Sequence, residues 1–173
     1  MRYTVKMDGS EPTFSAVDHV ALSVTDLVAS HDFYTGVLGF LQVADFGPTR
    51  IYLHNPSAIM LALKQHPDAH GGRFTELATG LDHVALTVGS LAELREWEQR
   101  LRDAGAEFTP IREAEFGHHL NFRDPDGIAL ELATSNEPMA AALALLRSGE
   151  LSDDQVVAHA RQLLEQVLPM PEQ

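Results

Sequence analysis

The sequence predicts an α+β fold of two βαβββ modules followed by a helical extension, and two internal repeats carry that prediction. Residues 18–24 read DHVALSV and residues 82–88 read DHVALTV, so that His83 follows His19 by 64 residues and only Ser23 and Thr87 differ. Residues 51–63 (IYLHNPSAIMLAL) match residues 120–132 (LNFRDPDGIALEL) at an ungapped offset of 69, which pairs Pro56 with Pro125 and Leu61 with Leu130. Each half of the chain therefore begins and ends on similar elements, the signature of a duplicated unit.

The elements follow in order. Residues 17–24 alternate Val17, His19, Ala21 and Ser23 against Asp18, Val20, Leu22 and Val24, which is strand periodicity with one apolar face. A helix over 27–37 is capped from Thr25-Asp26 or Ser30 and carries Leu27, Phe33, Tyr34 and Val37 at helical spacing, with Gly39 ending it. Strands near 40–46, 50–55 and 58–65 complete the module, the last two joined at Asn55-Pro56-Ser57. The second half repeats the order: strand 82–88, helix 91–104 stopped by Gly105, then strands near 106–113, 118–123 and 127–133, with Asp124-Pro125-Asp126-Gly127 as a strong turn. The main domain is thus 14–135, with modules of about 15–65 and 80–135 and a polar linker at 66–79. Residues 136–173 form a helical tail: helices over 138–148 and 152–168 separated by Gly149, the second with Val156, Val157, Ala160, Leu163, Leu164 and Val167 on one face.

Composition narrows the function. With 12 basic against 25 acidic side chains and a net charge of −13, no nucleic-acid partner and no anionic membrane surface is expected. No run approaches a membrane span and no secretory signal is visible, so the expected location is cytoplasmic. There is no cysteine, which excludes thiolate ligands and a cysteine nucleophile.

The candidate chemistry lies in the repeats. His19 and His83 hold equivalent positions, each on the strand face opposite the apolar stripe. Glu131 stands in the last strand with Ala129 and Ala133 on its face, and a carboxylate in an apolar strand is costly unless paired or coordinated. Two imidazoles and one carboxylate suit one divalent ion, Fe, Mn, Zn or Ni, and leave coordination positions open for substrate. A strand His is more often packed or solvated and a strand Glu more often solvated; recurrence of His at one position in both halves weighs toward a metal, and spacing alone leaves both open.

The two βαβββ units, the DHVAL opening strand in each, FYTGVLGF at 33–40 and FRDPDGIALEL at 122–132 resemble the vicinal oxygen chelate superfamily of glyoxalases, bleomycin-resistance proteins and dioxygenases, over roughly residues 15–135. The resemblance implies an open, U-shaped mixed sheet with a metal in its cleft, held by His19, His83 and Glu131. The fourth ligand position of glyoxalase I and methylmalonyl-CoA epimerase falls on Ala62, which cannot ligate. Fosfomycin-modifying enzymes and extradiol dioxygenases use the His, His, Glu trio, but the extradiol tyrosine is replaced here by Asn121. The implied function is a metal-dependent enzyme, dioxygenase-like or lyase/transferase-like, acting on a small oxygen-rich substrate. The alternative is a non-catalytic binding protein of the bleomycin-resistance kind. Candidate catalytic residues are Tyr52, its offset partner Asn121, and His119, since only one of His118 and His119 can face the cleft. Phe33, Tyr34 and Trp97 read as core; His54 and Arg123 read as ordinary strand residues; His31, His66, His70 and His159 read as solvated. A homodimer is expected.

Overall fold

The computed structural model describes residues 14–69 and 71–167. In the first module, β1 (Val20–Ser23) leads into α1 (Leu27–Asp32), which continues as a π-helical turn over Phe33–Val37, and β2 (Leu41–Asp45), β3 (Thr49–His54) and β4 (Ile59–Lys64) follow. Asp26 is the helix cap: its carboxylate accepts from the backbone N–H groups of Val28 at 2.8 Å and Ala29 at 3.1 Å, satisfying donors that a helix start leaves orphaned. The second module runs β5 (Val84–Thr87), α2 (Leu91–Asp103), β6 (Arg112–Ala114), β7 (Gly117–Arg123) and β8 (Ala129–Ala133). Ser90 caps α2 by accepting from Glu93 N–H, and the Glu93 carboxylate reaches back to Gly89 N–H, a variant of the reciprocal capping box.

The two sheets have the same order, β1-β4-β3-β2 and β5-β8-β7-β6, with the opening strand parallel to the closing strand and the remaining pairs antiparallel. They are open mixed sheets, and β1 and β5 are both edge strands. The opening strands are shorter than their apolar alternation suggests. Pairing with the closing strand begins at Val20↔Leu61 and Val84↔Leu130, so His19 and His83 stand just ahead of the ladders. The strand expected over 106–113 is reduced to an isolated bridge, Phe108↔Phe122, and the three residues of β6. Pro110, which has no N–H to donate, sits in the gap.

Both sheets turn their apolar faces into one core. Leu22, Tyr52, Leu61 and Leu63 from the first meet Leu120, Phe122, Leu130 and Leu132 from the second, with Tyr34, Leu38, Leu94 and Leu101 from the helical segments. Polar clasps reinforce the junction. Tyr34 Oη donates to Asp124 Oδ2 at 3.1 Å, Thr25 N–H donates to Asp126, and the Arg100 guanidinium donates to the Gly36 and Val37 carbonyls. The linker is strapped to the second module, where Arg123 pairs with Glu76 and Arg73 with Glu107.

In the tail, Asn136 caps α3 (Glu137–Ser148), Gly149 ends it at φ 70°, and α4 (Asp153–Val167) folds back against it. Leu168, the expected last residue of that helix, lies outside the described residues. Among the described residues no helix is long and apolar enough to cross a membrane.

Candidate functional site

Because the apolar faces share a core, the other face of each sheet points outward. On the second sheet, Glu131 is aligned with Ala85 on one side and Asn121 on the other, and His119 with Ala133. Residues two apart share a strand face, so His119, Asn121, Arg123, Glu131 and, by continuation from Ala85, His83 belong to one surface. Glu131 is 13% exposed, and the Nδ1 of His119, 31% exposed, lies 2.9 Å from its Oε1. Arg112 is the cross-strand neighbour of His119 on β6 and is exposed.

His83 is 45% exposed, and its Nδ1 is 2.6 Å from the Asp82 carboxylate; His19 is 48% exposed and makes the same 2.6 Å contact with Asp18. With a carboxylate at Nδ1, the favoured tautomer carries its proton there and leaves the Nε2 lone pair free, the arrangement that metal-binding imidazoles share. Asp18 and Asp82 are absent from the sequence-derived candidates. The signal for them is that the repeated unit is the dipeptide Asp-His rather than His alone.

The first sheet presents a different outward surface. Ala62 is aligned with Ala21 and Ile51, so this face carries His19 among aliphatic side chains. Since the two outward faces point away from a common core, His19 is separated from His83 and Glu131 within one chain. Among the described residues no three His, Asp or Glu side chains are gathered as a metal site in a single chain.

Tyr52 requires a correction. It is fully buried, on the core face of β3 opposite Leu61, and its hydroxyl meets His31 Nδ1 at 3.1 Å. It does not share a surface with Asn121. The cause is a turn one residue shorter in the second module: Tyr52↔Leu61 encloses residues 53–60, whereas the equivalent pair Phe122↔Leu130 encloses 123–129. The offset of 69 therefore holds after the turn, matching Ala62 to Glu131, but before it the structural partner of Tyr52 is Phe122. A slip of one residue moves a strand side chain to the opposite face. His31 is accordingly half-buried rather than solvated, whereas His66 and His159 are exposed and His70 lies outside the described residues. His54 also faces the core side, 5.5 Å from the ring of Phe40. Arg123 is not a free strand residue, because Glu76 holds it.

The Asp-Pro-Asp-Gly turn is a structural device. Asp124 is 6% exposed, and its Oδ1 accepts the backbone N–H groups of Asp126 and Ile128 while Oδ2 accepts the Tyr34 hydroxyl. Burial pushes its carboxyl up to about 6, against the opposing effect of those hydrogen bonds. Burial, followed by the charge on Asp124, raises the Tyr34 phenol well above its ordinary value. On the exposed side, the hydrogen bond from Arg123 draws Glu76 down to about 2.

Paired βαβββ modules with open mixed sheets, an opening-strand Asp-His in each, and one closing-strand carboxylate define a duplicated-module protein with imidazole and carboxylate donors. The chain belongs to the glyoxalase/bleomycin resistance protein/dioxygenase superfamily, whose sequence model matches residues 16–132. It is 32% identical over 124 residues to the uncharacterized protein YwkD of Bacillus subtilis, covering 68% of this chain and 94% of that one. Metallothiol transferase FosB of Staphylococcus saprophyticus is 27% identical over 121 residues, 69% of this chain and 76% of that protein. In three dimensions the chain is similar to a glyoxylase/bleomycin resistance protein/dioxygenase domain from Frankia, with a TM-score of 0.68 and 36% identity over 72% of this chain and 95% of that one. The fold also matches the fosfomycin resistance protein FosX of Listeria monocytogenes, in a glutamate-to-glutamine variant complexed with Mn(II) and a dihydroxypropylphosphonic acid. There the TM-score is 0.59 at 21% identity, covering 73% of this chain and 95% of that one.

Proposed function

We propose that this protein is a metal-dependent enzyme acting on a small oxygen-rich substrate, with His83 and Glu131 from one chain and His19 from a second copy holding one divalent ion. The carrying observation is the outward surface of the second sheet, where a mostly buried carboxylate shares a face with an imidazole whose Nδ1 is occupied by Asp82. The donor set is nitrogen and oxygen only, fitting Fe, Mn, Zn or Ni. When bound, such an ion supplies Lewis acidity toward substrate oxygens. Asn121, beside Glu131, offers a hydrogen-bonding amide to the substrate, and His119 belongs to the same surface. The name of the FosB relative, metallothiol transferase, is consistent with metal-dependent chemistry.

Two copies are needed because His19 stands on the other outward face. Both β1 and β5 are open edges, and Phe14, Val17, Leu77 and Leu81 beside them are 99%, 83%, 94% and 43% exposed. Unpaired edges flanked by exposed apolar side chains favour association with another chain. A two-fold dimer applying the first sheet of one copy to the second sheet of its partner completes two equivalent sites.

Mn(II) titration by calorimetry, with mixing of two defective variants, tests this. His19→Ala and His83→Ala are each expected to lose binding. Co-refolding the two yields mixed dimers with one intact site, restoring about a quarter of the wild-type stoichiometry under random pairing. A wild-type protein that binds no divalent ion refutes the metalloenzyme, and binding without restoration on mixing refutes the shared site.

A further inference from the structure

We propose that His119 is the positioning residue for Glu131: it holds one carboxylate oxygen and thereby leaves the other to face a cation. This inference rests on Glu131 being a metal ligand, as proposed above. The two residues lie on neighbouring strands, offset by two positions along the ladder. The closest approach is Nδ1 to Oε1, at 2.9 Å. Glu131 is 13% exposed, with Ala85 and Ala133 beside it on the sheet. A carboxylate so enclosed swings freely unless something fixes it, and it is costly to leave unpaired. His119 approaches it from the β7 side, and no other Lys, Arg or His nitrogen lies within 4.0 Å of its carboxylate among the described residues.

The duplication supplies an internal control. With the turn lengths taken into account, Glu131 corresponds to Ala62 and His119 to Thr49. The module that lacks the carboxylate also lacks the imidazole, so the pair is present as a unit or absent as a unit. An imidazole serving only the strand surface has no reason to follow the carboxylate in this way. His118, the adjacent histidine, sits on the other face, and its backbone N–H is bound to Thr134 Oγ1 at 3.0 Å. One of the two consecutive histidines is thus spent on Glu131 and the other is not.

Partners that orient a ligating side chain are worth roughly ten- to a hundredfold in metal affinity. His119→Leu removes the polar contact, whereas His119→Asn places an amide nitrogen near the former Nδ1. Mn(II) affinity by calorimetry and the Mn(II) electron paramagnetic resonance line shape are the readouts, with circular dichroism to show that each variant is folded. The expected result is a ten- to hundredfold loss of affinity and an altered line shape for the Leu variant, and recovery to within about threefold of wild type for the Asn variant. Equal damage from Leu and Asn would make His119 a ligand and overturn the proposal. So would an unchanged affinity in the Leu variant while His83→Ala abolishes binding, an outcome that leaves the metal site itself standing. Wild-type protein that binds no Mn(II) overturns both.

Discussion

Asp124 gives this fold a pH dependence opposite in sign to that of most carboxylates. Its carboxyl is pushed from an ordinary 3.8 to about 6, chiefly by burial. The folded state therefore binds the proton more tightly than the unfolded chain does. The associated stability is fully present below about pH 3.8 and is lost as pH rises through about 6. At 1.36 kcal/mol per pH unit, the ionised carboxylate costs the folded state about 3 kcal/mol above neutrality. Asp124→Asn keeps the shape: its carbonyl oxygen still accepts from Asp126 and Ile128, and Tyr34 Oη turns to accept from the new amide. Urea unfolding of wild type and variant at pH 4, 5, 6, 7 and 8 isolates the effect, because all other titrations cancel in the difference. The variant is expected to gain on wild type steadily between pH 4 and 6 and to level off about 3 kcal/mol higher by pH 8. A difference that is flat to within about 0.5 kcal/mol, or that moves in favour of wild type as pH rises, would refute the reasoning.

Two further expectations concern the second module. At Gly117 the backbone has φ 152°, and an added Cβ would sit on the carbonyl oxygen of Thr134, the residue just past β8 whose N–H donates to the His118 carbonyl and whose hydroxyl accepts from His118 N–H. Gly117→Ala should cost about 3 kcal/mol or more in chemical denaturation, and a loss below about 1 kcal/mol would mean the strand yields there. Arg123→Ala should return the Glu76 carboxyl from about 2 toward its ordinary 4.5, followed by NMR titration of the side-chain carbonyl carbon. A Glu76 midpoint that stays near 2 would show that Arg123 is not the cause.

The duplicated pattern was legible because it is written in the local chain. Each DHVAL segment shows a strand period, each following segment shows a helix with a cap and a glycine stop, and both recur. These features need only side-chain volume, polarity and backbone preference to be read. The residues proposed as donors stand out for the same reason: His19, His83 and Glu131 are conspicuous among apolar neighbours, and Ala62 marks which half lacks the carboxylate.

What the sequence by itself determined, then, is the pair of modules, the strand faces after each turn, and the absence of any thiolate. What only the tertiary structure decided is where those faces look. The turn after β7 holds one residue fewer than the turn after β3, and this single residue sends Tyr52 into the core while Asn121 stays outside beside Glu131. The packing of both apolar faces into one core turned the histidine-bearing surfaces outward, so that His19 and His83, equivalent in sequence, are not gathered with Glu131 into one site among the described residues of the chain. Register and module packing arise from contacts between residues far apart in sequence, and a local pattern contains no record of them.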